Sequence, residues 1–384
     1  YAETGEEQLM KNLTSIWNDI VTRKMYVTGA CGALYDGTSP DGTCYEPDSI
    51  QKVHQSYGRP YQLPNSTAHN ETCANIGNML FNWRMLEVTG DAKYAELVET
   101  CLYNSVLSGI SLDGKKYFYT NPLRISADLP YTLRWPKERT EYISCFCCPP
   151  NTLRTLCQAQ NYAYTLGSEG IYCNLYGANT LTTNWRDKGE IALTQKTAYP
   201  WEGNVRVEFD RVPRKAGAFS LFLRIPEWCE KAMLTVNGEP VPVAAKANTY
   251  AEVKRTWKKG DVVEWVMDMP VRLLEAHPLA EEIRNQVVVK RGPLVYCLES
   301  MDMTGGGSID NVLIPADIKL IPKKVTIEGS PVVALEGKAR LISSNSWEGI
   351  LYRPVSFAGK TVDIRLIPYY AWGNSCLLYT SDAA

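Results

Sequence analysis

Apolar residues change their spacing near Gly170, and this change constrains the fold of the 384-residue chain more than any other feature. Ahead of it they recur every three to four positions. Ile76, Met79, Leu80, Trp83 and Leu86 mark one face of a helix over 74–88, with Thr89-Gly90 as its stop. Leu9, Leu13, Ile16, Trp17 and Ile20 repeat the pattern near the start. Further helices are expected from Ala92 to about Ser108, and from Pro149-Pro150 to Leu166, because proline suits a first helical turn. After Gly170 the period is two. Glu190-Ile-Ala-Leu-Thr-Gln, Val205-Arg-Val-Glu-Phe, Phe219-Ser-Leu-Phe-Leu-Arg-Ile and Val262-Val-Glu-Trp-Val read as strands. Asn237-Gly238 supplies the positive φ that a type I′ hairpin needs. A second β-rich stretch starts near Val287 and runs through Val332-Val-Ala-Leu to Val362-Asp-Ile-Arg-Leu. The expected fold class is therefore α + β and multidomain, a helical part followed by two antiparallel β-sandwiches.

Charge excludes some partners. Forty basic residues against 42 acidic ones leave a net charge of -2, with no block of one sign. Neither nucleic acid nor an anionic membrane is an expected partner. No apolar run approaches the ~20 residues that cross a bilayer, so no membrane span is expected. The sequence opens on Tyr1, already inside a helical pattern, and changes character after Asn374. Earlier elements are expected upstream, and 375–384 is expected to be a non-native tail.

The chemistry concentrates in two short segments. Twelve cysteines are too few for a disulfide scaffold, and Cys145, Cys147 and Cys148 crowd into four positions. With Glu71-Thr72-Cys73 they make a cluster of thiolate and carboxylate donors, of which four fill a tetrahedral shell. Both segments fall at the start of a predicted helix, where the partial positive charge favours thiolate over thiol. From spacing alone three readings stay open: a closed structural zinc site, reduced buried cysteines, or a catalytic thiolate. Cys31, Cys44, Cys101, Cys157, Cys173, Cys229 and Cys297 are expected to be small buried apolar residues.

Tyr26-Val-Thr-Gly, Leu63-Pro-Asn with Glu71-Thr-Cys, Tyr119-Thr-Asn-Pro-Leu, and Cys145-Phe-Cys-Cys-Pro-Pro-Asn together resemble the β-L-arabinofuranosidase family, glycoside hydrolase family 127. The resemblance covers roughly residues 5 to 373. It implies an (α/α)6 barrel followed by two β-sandwiches, with most of the barrel upstream of Tyr1. The implied boundaries are 1–167 for the C-terminal part of the barrel, 168–272 for the first sandwich and 273–374 for the second. It also implies Zn2+ bound by Glu71, Cys73, Cys147 and Cys148, with Cys147 as the nucleophile of a retaining hydrolase. Cys145 then lies outside the ligand set. The implied partner is an oligosaccharide or plant glycan. A homodimer is among the expected assemblies, and the bacterial cytoplasm and the periplasm both stay open as locations.

One position departs from the family pattern. The acid/base glutamate implied sixteen residues before Glu71 is Gln55 here, and an amide cannot deliver a proton at a useful rate. The segment Leu34 to Gln51 reads as an insertion beside it. His54 and Glu46 are the candidates for a displaced acid; alternatively His54 contacts substrate or fills the pocket, and Glu46 is a solvated loop charge. Tyr119 and Asn121 are expected to face the sugar, and Glu99 matches a further family carboxylate or is an ordinary helix charge. Tyr57, Tyr61, Trp135 and Tyr142 are looser aromatic candidates, His69 is a candidate neighbour of the ligands, and His277 is expected to be structural. A competing functional class is a non-catalytic carbohydrate-binding relative with a structural zinc, which Gln55 favours. A third is a thiol-zinc hydrolase or isomerase acting on a non-sugar substrate.

Overall fold

The computed structural model describes residues 1–35, 55–125, 133–185, 188–342, 348–354 and 359–374. It divides into two compact units: Tyr1–Asn18, Cys73–Tyr103 and Pro150–Pro270 form one, and Asp19–Thr72, Asn104–Pro149 and Val271–Ala384 the other. Among the described residues the α-helices are α1 (Glu7–Arg23), α2 (Thr72–Thr89), α3 (Ala92–Thr100) and α4 (Cys148–Gln158). Asp91 caps α3 by accepting from the Lys93 N–H at 3.2 Å, and the helix continues through a π turn and a 3-10 turn to Gly109.

The helix expected from Pro149 to Leu166 is shorter. It ends at Gln158, a 3-10 turn carries the chain to Tyr162, and β1 (Tyr164–Leu166) follows. Long-range contacts override the local pattern: Tyr162 packs edge-on against Trp83 at 5.0 Å, and the Ala163 carbonyl accepts from the Asn174 N–H at 2.9 Å.

In the first unit the sheet strands are β1, β2 (Gly170–Cys173), β3 (Asn179–Trp185), β4 (Gly189–Thr197), β5 (Asn204–Arg211), β6 (Phe219–Ile225), β7 (Ala232–Val236), β8 (Glu239–Val241), β9 (Thr249–Arg255) and β10 (Val262–Met267). They form a four-stranded sheet, β1-β2-β6-β9, and a six-stranded one, β3-β4-β5-β10-β7-β8. Alternate residues such as Val205, Val207, Phe209, Val263 and Trp265 join Ile171, Leu221, Leu223 and Val253 in a single core, which makes this part a sandwich. It is not wholly antiparallel as expected, because β2 runs parallel to β6. The hairpin at Asn237-Gly238 forms with φ of 54° and 84°. Every residue of β6 is buried, since Ser220, Phe222 and Arg224 leave the sandwich core for the opposite face of the sheet. There Arg224 meets Glu96 and Glu99, which share a face of α3 one turn apart.

In the second unit the described strands form one antiparallel seven-stranded sheet. The strands are β11 (Val271–Glu275), β12 (Val287–Arg291), β13 (Leu294–Met303), β14 (Val312–Leu313), β15 (Ile321–Ile327), β16 (Ser330–Leu341) and β17 (Lys360–Pro368). The long β16 pairs with β17 on one edge, and with β15 and then β14 on the other. Phe118 packs with Val295, Tyr369 and Trp372, and the Tyr369 hydroxyl donates to the Pro122 carbonyl at 3.0 Å. Those contacts fix the segment 118–122 that supports the ligand residues. No helix of the described residues is long and apolar enough to cross a membrane.

Candidate metal centre

Glu71 is set by a short stretch of paired backbone. Glu71 bridges Thr120, the Thr72 N–H donates to the Tyr119 carbonyl at 2.9 Å, and the Thr72 hydroxyl donates to the Phe118 carbonyl at 3.0 Å. Asn70 turns the chain with φ of 40°, a region asparagine tolerates better than most residues. Asn121 clamps the turn. Its Nδ2 donates to the Asn70 carbonyl and to the Thr72 hydroxyl, both at 2.9 Å, while its Oδ1 accepts from the Ser108 hydroxyl at 2.8 Å. This buried amide has both donors and its acceptor engaged, and it holds the entry to α2.

Cys147 and Cys148 arrive at the N-terminus of α4, where Pro149 and Pro150 start the first turn. Glu71, Cys73, Cys147 and Cys148 each present a ligand atom, and these atoms lie within 4.8 Å of one another. The Cys147 and Cys148 sulfurs are 3.7 Å apart, and they stand 3.4 Å and 3.7 Å from Glu71 Oε1. A tetrahedral zinc with ordinary bond lengths sets sulfurs about 3.8 Å apart and sulfur and oxygen about 3.6 Å apart. The spacings among Glu71, Cys147 and Cys148 match that ion, and Cys73 completes a donor set of the right chemistry within 4.8 Å. Burial by itself lifts the Glu71 carboxyl, but polar contacts with His69, Cys147 and Tyr119 outweigh it and hold the group below the usual carboxylate range. Glu71 is therefore an anion at neutral pH. Elsewhere burial pushes thiols up, Cys31 to about 11 and Cys173 to about 12, which keeps them inert.

Cys73 has its own support. Asn151, in the first turns of α4, donates from Nδ2 to the Cys73 sulfur at 3.0 Å, and its Oδ1 accepts from the Arg154 guanidinium. The arginine fixes which way the amide faces, so a donor must point at the sulfur. Partners of this kind orient metal ligands and tune their basicity. Asn151→Leu should lower zinc affinity about 10- to 100-fold, measured by competition with a chromogenic chelator, with the circular dichroism of the protein unchanged. An affinity equal to that of the parent would remove Asn151 from the support of the site.

The aromatic residues divide. Tyr119 stacks on Trp135 at 3.7 Å, and its hydroxyl accepts from Gln55 Nε2 at 3.0 Å. Burial, with the charges of Glu71 and Cys147 beside it, pushes the Tyr119 hydroxyl far up, so it stays protonated. Gln55 thus stands next to a neighbour of Glu71. His69 lies between Tyr35 and Tyr119 with Nε2 3.8 Å from Glu71 Oε2, the place expected for it. Tyr61 instead stacks on His277 at 4.5 Å, and Tyr142 is exposed against Phe146.

Glu99 is fully buried, paired with Arg224 at 2.6 Å, and it accepts from the Tyr199 hydroxyl at 2.8 Å. Cys157 is exposed, contrary to expectation, whereas Cys31, Cys101, Cys173 and Cys229 are buried as expected. Glu46, His54 and Cys44 fall outside the described residues. The sequence reading missed Asn151 and Tyr35. Asn151 could have been found as the last residue of Cys-Cys-Pro-Pro-Asn; Tyr35 carried no signal.

Three family models match along the chain: the GH127 β-L-arabinofuranosidase catalytic domain over residues 1–161, the middle domain over 170–269, and the family C-terminal domain over 271–376. The chain belongs to glycoside hydrolase family 127. A curated relative, the non-reducing end β-L-arabinofuranosidase of Bifidobacterium longum, is 30% identical over 383 residues, which is 96% of this chain and 54% of that protein. A solved structure described as a glycoside hydrolase is 90% identical, with a TM-score of 0.92 across 97% of this chain and 61% of that one. The crystal structure of a GH127 β-L-arabinofuranosidase from Geobacillus stearothermophilus T6 is 35% identical, with a TM-score of 0.84 across 97% and 56% of the two chains. A GH127 β-arabinofuranosidase structure is 32% identical, with a TM-score of 0.81 across 97% and 55%. The chain spans between 54% and 61% of the length of these family 127 relatives.

Proposed function

We propose that the protein is a retaining glycoside hydrolase that removes terminal pentofuranose-type residues, β-L-arabinofuranose foremost, from plant glycans. The observation that carries this reading is the convergence of Glu71, Cys73, Cys147 and Cys148. Family 127 relatives named as β-L-arabinofuranosidases support the choice of sugar. Zinc is the proposed resident metal, and when bound it supplies the positive charge that keeps these thiols ionised at neutral pH.

The Cys147 sulfur attacks the anomeric carbon, the glycosidic C–O bond breaks, and a thioglycosyl-enzyme forms. Water then displaces the sulfur from the same carbon, giving net retention. Tyr119, stacked on Trp135 with its hydroxyl held by Gln55, is the proposed aromatic neighbour of the sugar. The leaving oxygen needs a proton that the Gln55 amide cannot give. His54 and Glu46 are the proposed donors, with a carboxylate of the substrate itself as the third source.

Residues 1–167 are proposed as the C-terminal part of an (α/α)6 barrel, with 168–272 and 273–374 as the β domains and a homodimer as the assembly. Gln55 favours a second reading, a carbohydrate-binding relative that keeps zinc without turnover. A panel of arabinofuranosides and acidic side-chain oligosaccharides separates the two. Release of free arabinose by the zinc-loaded full-length protein is the expected result, and saturable binding with no product would support the second reading.

A further inference from the structure

Cys145 lies outside the four-ligand set, yet its sulfur is 3.5 Å from that of Cys147, closer than the 3.7 Å between Cys147 and Cys148. Cys145 and Cys147 are both half-buried, in the irregular turn that leads into α4, and the intervening Phe146 is 72% exposed. No sheet ladder or helix holds this turn, so the two sulfurs can close on each other without breaking regular backbone pairing. Cys148 is the poorer partner. It is buried, it is the first residue of α4, and a disulfide between adjacent residues closes through a single peptide bond and distorts it.

We propose that Cys145 and Cys147 are a redox modification site, forming a reversible disulfide when the protein meets a hydroperoxide. The Cys147 thiolate attacks the peroxide, an S–O bond forms, the O–O bond breaks, and the departing oxygen takes a proton and leaves as water, or as an alcohol from an organic hydroperoxide. Cys145 then attacks the oxidised sulfur, the S–S bond forms, the S–O bond breaks, and the second oxygen leaves as water. Two thiols lose two electrons and the peroxide gains them. A sulfur tied in a disulfide no longer offers a thiolate to a metal, so oxidation and zinc binding at this centre exclude each other. Cys145 also intercepts Cys147 before it reaches the irreversible sulfinic acid. The loss of glycosidase activity on oxidation rests on the proposed function, whereas the disulfide and the release of zinc do not.

The test treats the zinc-loaded protein with hydrogen peroxide at neutral pH. It follows released zinc with a chromogenic chelator, maps the cysteines by peptide mass spectrometry, and measures activity before and after a thiol reductant with added zinc. Zinc should leave as the Cys145–Cys147 disulfide appears, and reductant with zinc should restore most of the activity. Cys145→Ser should keep its zinc and its starting activity. On oxidation its Cys147 should pass to the sulfinic acid, and reductant should recover roughly a tenth of the activity or less. A disulfide mapped to Cys148 or Cys73, or equal recovery by Cys145→Ser and the parent, would overturn the proposal. If the protein has no glycosidase activity, the zinc and mapping readouts still decide it.

Discussion

Cys147→Ala should lower turnover on arabinofuranosides by about 10³-fold or more, because it removes the atom that bonds to the sugar. Its side chain is only half-buried, so little packing is lost and the melting curve of the metal-free protein should barely move. The substitution also deletes one metal donor, and a control separates the two effects. Cys73→Ala deletes a donor as well but leaves the nucleophile in place. Excess zinc should therefore restore part of the activity of Cys73→Ala and none of that of Cys147→Ala. If Cys147→Ala recovers alongside Cys73→Ala, the sulfur acts only as a ligand. Turnover near that of the parent would remove it from the chemistry altogether.

The largest loss of stability is expected at Arg224. Its guanidinium is fully buried, within 2.6 Å of Glu96 Oε2 and of Glu99 Oε1, and its Nε donates to the Asn174 carbonyl at 2.5 Å. Arg224→Met keeps the bulk but leaves two buried carboxylates without a cation. Breaking a buried pair from one side costs roughly 3–5 kcal/mol, and urea unfolding should show a loss of that order at pH 7. The pH dependence has a definite sign. Burial, with Glu96 beside it, holds the Glu99 carboxyl above its ordinary value even with Arg224 opposing it, and removing the arginine lifts it further. A carboxyl raised in the folded state binds its proton more readily folded than unfolded. Stability of the variant should therefore rise as pH falls from neutral toward the unfolded carboxylate range. Adding Glu96→Gln and Glu99→Gln to Arg224→Met should recover part of the loss at pH 7. A variant as stable as the parent at neutral pH would show that the ionic cluster contributes specificity without stability.

Glu99 illustrates what a sequence hides. An acid on a helix looks the same whether it awaits a sugar or a cation, and its partner Arg224 is 125 positions away. Asn121 is a similar case, since an amide suits a hydroxyl of a sugar as well as it suits the Asn70 carbonyl and the Thr72 hydroxyl that it actually holds. The strand runs and the Asn237-Gly238 hairpin were legible because local periodicity and positive φ are properties of a few neighbouring residues. The parallel pairing of β2 with β6 was not, because it joins segments whose local patterns carry no strand direction. The end of α4 differs for a related reason: Trp83, remote in sequence, packs on Tyr162 just beyond it. The cysteine cluster was the most legible part of the site. Thiolates at two predicted helix starts have few uses, and four of the donors do converge.

Rapid quenching during turnover of a slow arabinofuranoside, followed by peptide mass spectrometry, tests the central chemistry most directly. A pentosyl group on the peptide containing Cys147, absent from Cys147→Ala, is the expected result. Steady release of arabinose with Cys147 unmodified, or with the sugar on a carboxylate, would contradict a sulfur nucleophile at this centre.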